Sequence, residues 1–169
     1  KDHESKEARK PDEQYWHNMY TVYDKAHFCP AEENGEVDEE KLQQWIEKFR
    51  ILLEQNDQSS LFGSMMGRLF SFSPIGKDGH EPCEAVRTVI ENNSDDKMRS
   101  SYEISVFNRR GAYSPSAGKE EMRIAEAFRA NAEYLRFRYP ETAKIFYSLY
   151  DNYKRESERE RMEAENGRY

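Results

Sequence analysis

The stretch DEEKLQQWIEKFRILL, residues 38–53, decides the fold. Its apolar residues Leu42, Trp45, Ile46, Phe49, Leu52 and Leu53 recur at three- and four-residue intervals, the repeat that gathers side chains on one face of an α-helix. Asp38 stands where an N-cap belongs, with a carboxylate in reach of the orphan amides of the first turn. The helix is expected to end near Gln55.

The same period organises the chain on either side. Downstream, the pairs Leu61/Phe62, Met65/Met66 and Leu69/Phe70 give a helix with a wide apolar face, and Gly63 and Gly67 let a neighbour come close, so this is the expected central helix. Residues 73–81 form a loop marked by Pro74, Gly76 and Gly79, after which Pro82 suits the first turn of a short helix carrying Val86, Val89 and Ile90. Ser94 is the expected cap of a fifth helix through Met98, Tyr102 and Phe107, although the alternation of Tyr102, Ile104 and Val106 leaves a brief strand open. A second loop over 108–118 precedes a helix with Met122, Ala125, Phe128, Ala132 and Leu135. Pro140 ends that helix and begins the last one, with Ala143, Phe146, Leu149, Tyr150 and Tyr153. Upstream, Tyr15, Trp16, Met19, Tyr20 and Tyr23 predict a helix over 12–27, which Pro30 breaks. The expectation is an all-α fold of about seven helices around one core. A charged extension (1–11), one globular domain (12–153) and a solvated, charged helical tail (154–169) divide the chain.

Composition bounds the function. The 169 residues suffice for one core and are few for two. Charged residues make up 35% and aromatics 13%, so the surface is heavily solvated and the core rich in rings. A net charge of -7 repels phosphate backbones and anionic lipid, so nucleic acid is an unfavoured partner. No uncharged run is long enough to span a bilayer. Two cysteines, Cys29 and Cys83, are no disulfide scaffold and fit a reducing, cytoplasmic setting. The chain opens on Lys1 without a signal pattern, which reads as a fragment of a larger protein.

Trp45, the segment from Gly79 to Cys83, Asn108-Arg109-Arg110-Gly111 and the closing helix from Pro140 to Tyr153 together resemble a helical module near the C-terminus of large uncharacterised bacterial proteins. The resemblance covers residues 20–165 and implies a bacterial source, a larger parent chain and an all-helical fold, with no activity attached. His80-Glu81 stands where a Trp is expected before Pro82.

Four constellations carry chemistry. His27, Cys29, His80 and Cys83 have the composition of a Cys2His2 zinc site but lack the tight Cys-x2–4-Cys knuckle, so no metal and no cofactor are expected. Cys83 at a helix N-terminus just after His80 defines the alternative of a small thiol hydrolase, with no third residue to orient the imidazole. The acidic run from Glu32 to Glu40 lacks the alternation of a calcium loop and reads as a solvated loop and first helical turn. Asn108, Arg109, Arg110 and Tyr113 put guanidinium groups in an irregular loop, where they can grip carboxylate or phosphate bidentately or pair inward with Glu120 or Glu121. These four are the candidate partner-binding residues. The function expected by elimination is a non-catalytic interaction or scaffolding domain with a protein partner. A nucleic-acid-associated regulatory domain would require a basic face gathering Arg109, Arg110, Lys119, Arg123, Arg136 and Arg138.

Overall fold

The computed structural model describes residues 21, 23, 25–93, 95–109 and 116–167. Among them the chain is all-α apart from one small hairpin. The hairpin pairs β1 (Glu32–Glu33) with β2 (Glu36–Val37) through Asn34-Gly35, both at positive φ (55° and 82°), the turn whose twist matches the strands. Six helices follow: α1 (Glu39–Gln55), α2 (Phe62–Phe70, entered through a 3-10 turn at Ser59–Leu61), α3 (Glu84–Asn93), α4 (Asp96–Asn108), α5 (Lys119–Leu135) and α6 (Pro140–Glu165). Of the helix expected over 12–27, Thr21 and Tyr23 are helical and Lys25 turns out of it; residues 12–20, 22 and 24 lie outside the described residues.

Asp38 caps α1 as its position demands, Oδ1 accepting from Lys41 N at 2.8 Å. Leu42, Ile46 and Leu53 are buried, with Trp45 and Phe49 half-buried and stacked, ring centres 4.9 Å apart. Leu52 departs from the expected stripe and is exposed. The spacing 42, 46, 49, 53 keeps one face to the core, and position 52 falls about 100° round the helix from its neighbour.

Helices α2 and α4 press together because glycine lets them. A Cβ on Gly67 would collide with the Met98 carbonyl of α4, and one on Gly63 with the Asp95 carboxylate. The segment 96–108 is a helix and not a strand, and its cap is Asp95, whose Oδ1 accepts from Lys97 N at 2.8 Å. Ser94, the expected cap, lies outside the described residues. Only Met98 and Tyr102 of α4 are buried; Tyr102 meets Phe146 edge-on at 6.1 Å and 71°. A single apolar cluster runs from Cys29 to Tyr153, with Met66, Phe70, Phe146 and Leu149 fully enclosed. Each such side chain contributes about 1.5–3 kcal/mol of hydrophobic stabilisation.

Helices α5 and α6 form an antiparallel hairpin across Pro140, which occupies the first turn of α6. Glu91 of α3 caps that turn, accepting from Glu141 N (3.1 Å), Thr142 N (2.8 Å) and Thr142 Oγ1 (3.0 Å). The expected solvated tail needs correction here, because α6 runs on to Glu165 with Ser157 and Glu160 buried. Glu160 Oε2 accepts from Ser116 N (3.2 Å) and Gly118 N (3.0 Å), and Ser157 Oγ donates to Gly118 O (2.6 Å). Gly118 is required twice over, by its φ of 79° and by the Ser157 backbone that a Cβ would strike. The ion pairs Arg159–Glu163 (4.0 Å) and Arg161–Glu165 (3.8 Å) form further along α6. No helix among the described residues is long and apolar enough to cross a membrane.

Candidate functional site

Helical spacing builds a large cleft. Ser64, Met65 and Arg68 share one face of α2, while Ser101, Ile104, Ser105 and Asn108 share one face of α4. The two faces border a trough of about 880 Å³. Leu53 at the end of α1, with Gln58 and Leu61 in the connection to α2, closes one side, and Tyr23, His27 and Phe72 contribute another. Volumes of this order, walled by apolar groups with a few polar ones, are typical of binding sites.

Short hydrogen bonds fix the cleft. Ser101 Oγ donates to Ser64 O at 2.6 Å, tying α4 to α2, and the Tyr23 hydroxyl contacts the Ser64 and Met65 carbonyls at 3.3 and 3.2 Å. The Arg68 guanidinium lies 5.4 Å from the Tyr23 ring centre. Phe72 carries both the Arg109 guanidinium, 5.0 Å from its centre, and the His27 ring, stacked at 5.0 Å. Arg109 follows directly on α4 and is exposed. Beneath it, burial raises the Glu81 carboxyl above its usual range, with the positive charge of Arg109 pulling the other way. Burial likewise holds the Tyr102 phenol far above its usual pKa.

Asn108 and Arg109, two of the four residues singled out from the sequence, both line this cleft; Arg110 and Tyr113 lie outside the described residues. Asn108 and Ile104 also border a second groove of about 440 Å³ between α4 and α6, where Phe107 packs on Tyr153 with ring centres 5.0 Å apart. Of the cleft residues of α2 the sequence singles out Met65 alone, as part of an apolar face. A signal was present, since a helix whose apolar face is wider than one neighbour can cover has surface left over.

The other constellations are occupied with structure. Cys29 and Cys83 are both buried, with the Cys83 amide donating to Ser73 Oγ at 3.0 Å. Burial drives the Cys29 thiol far above its normal range, reinforced by Cys83 and Glu32 and only partly offset by a hydrogen bond with Ser73, so it stays protonated at neutral pH. His80 turns to α5, its Nδ1 2.9 Å from Asn131 Oδ1 and its ring stacked on Tyr134 at 3.6 Å. His27 is stacked on Phe72, away from that position. Among the described residues no group of three or more His, Cys, Asp or Glu is arranged to hold a metal ion.

In and just after α5, Arg123 pairs with Glu120 (2.7 Å) and Arg136 with Glu133 (2.7 Å), while Arg138 lies against the Tyr139 ring. Such pairs neutralise the face that nucleic acid would need. Comparison with known proteins returned no matching family model, no matching curated protein and no matching solved structure.

Proposed function

We propose that the chain is a non-catalytic interaction domain of a larger bacterial protein and that it holds a protein partner in the cleft between α2 and α4. One observation carries this reading. The cleft between α2 and α4 is mostly apolar, open to solvent and edged by an exposed Arg, while the thiols are buried and the His80 imidazole is engaged with Asn131. Exposed apolar side chains continue from the cleft, where Ile104 is 58% exposed and Leu61 is exposed too, to Phe107 in the neighbouring groove. Such continuity suits a protein surface better than a small molecule, which a trough of this kind would leave partly in water.

Site-specific photo-crosslinking tests the reading. A benzoylphenylalanine at position 104, introduced into the parent protein in its source cells, should trap one discrete protein or a neighbouring domain. The same group replacing Glu126, an exposed residue of α5, should trap none. Equal labelling from both positions, or none from either, overturns the cleft as the interaction surface.

A further inference from the structure

We infer that the partner segment held in this cleft is acidic as well as apolar: a peptide stretch that sets aliphatic or aromatic side chains against Met65 and Ile104 and carries Asp or Glu side chains opposite Arg109. The inference rests on the proposed function and specifies its partner. Its basis is charge. Asp and Glu supply 33 of the 169 residues against 26 Lys and Arg, yet the cleft is lined by two Arg, one His and not a single Asp or Glu among the described residues. In a chain of net charge -7 the described lining of the cleft thus carries cationic side chains, with the exposed Arg109 at its edge, where acidic ones are the commoner type.

Arg109 is placed to use that charge. Its guanidinium carbon lies 5.0 Å from the Phe72 ring centre and the residue is exposed, so a planar carboxylate can approach it from solvent and be bound bidentately, as Arg does. Asn108 and Ser105 stand beside it with further donors. The floor and far wall, Leu53, Leu61, Met65 and Ile104, offer nothing to a sugar or a phosphate chain and much to apolar side chains. An acidic peptide satisfies both halves of the cleft, whereas a nucleic acid would meet only the cationic edge and be repelled by the rest of the surface.

The experiment uses two end-capped, fluorescein-labelled peptides with the same leucine pattern, one with glutamate and the other with lysine at the intervening positions, and a labelled oligothymidylate as a third probe. Fluorescence anisotropy at low salt should show saturable binding of the glutamate peptide at least about tenfold tighter than that of the lysine peptide, with no saturation by the oligonucleotide. Amide shifts on titration should cluster at Met65, Ser101, Ile104 and Ser105. Arg109→Glu should reverse the preference between the peptides; should that variant melt early, Arg109→Gln reads the loss of the preference alone. Ile104→Asp, at an exposed position, should weaken the glutamate peptide. Equal binding of the two peptides, tighter binding of the lysine peptide, or Arg109-dependent binding of the oligonucleotide overturns the acidic class, as does the absence of cleft shifts at millimolar peptide. If position 104 still crosslinks a protein in that event, the cleft is the interaction surface and only the partner's chemistry is wrong.

Discussion

Two arginines in this molecule sit beside long Gly/Pro-marked loops and lead opposite lives. Arg87 of α3 is fully buried, and its guanidinium grips Asp78 with two hydrogen bonds (2.6 and 2.9 Å) and the His80 carbonyl with another. Glu84, one turn earlier, accepts from the Lys77 and Asp78 amides at 3.3 Å, and Gly76 N donates to His80 O at 2.8 Å. The loop 73–82 is thereby tied firmly to α3. Arg109, at the end of α4, is exposed and has a ring face for support. A buried Arg with its donors directed at one loop serves shape; an exposed Arg held by one face has its donors left for something else.

The comparison breaks most visibly through Arg87. Arg87→Ala takes from Asp78 its two guanidinium hydrogen bonds and from the His80 carbonyl one of its two donors, leaves a cavity where a fully buried side chain stood, and should cost about 2–5 kcal/mol in urea unfolding. A loss below about 1 kcal/mol would show that the loop does not depend on it. Next in size is a pH effect. The Arg87 hydrogen bonds hold the Asp78 carboxyl down to about 2, with the His80 amide helping against burial. A depressed carboxylate pKa contributes stability that is present above its unfolded value of about 3.9 and is lost as pH falls toward about 2. Melting temperature should therefore drop between about pH 4 and pH 2, and Asp78→Asn, already lower at neutral pH, should lose that part of the slope. An unchanged slope would mean that the pair is not formed. The smallest expected effect sharpens the other side: Arg109→Ala should change unfolding free energy by no more than about 0.5 kcal/mol. A larger loss would make Arg109 structural like Arg87 and remove the contrast.

The helices were legible because burial by apolar side chains leaves a period. Leu42, Ile46 and Leu53 announce α1, and Ala125, Ala132 and Leu135 announce α5. What escaped was burial by polar groups, which has no period. Ser157 and Glu160 lie in a run of charges, and nothing in the sequence marks them as the residues that bind the 116–118 backbone. Arg87, between Val86 and Thr88, reads as an ordinary surface cation. The Asn34-Gly35 hairpin had a turn signal but flanks of Glu and Val too short and polar to suggest strands. The candidate site was half visible: a loop break identified Asn108 and Arg109, while the cleft they edge needs α2 and α4 side by side, residues some 40 positions apart, a proximity that Gly67 permits without specifying.

The clasp between Glu160 and Gly118 also sets a schedule. During synthesis the chain emerges from its N-terminus, and domains fold as their parts become available. The start of α5 is made early, but the carboxylate that fastens it comes 42 residues later, near the far end of α6. Until that turn leaves the ribosome, the Ser116 and Gly118 amides have only water where the finished protein offers a buried carboxylate, so the junction between the loop and the α5–α6 hairpin closes among the last parts of the fold.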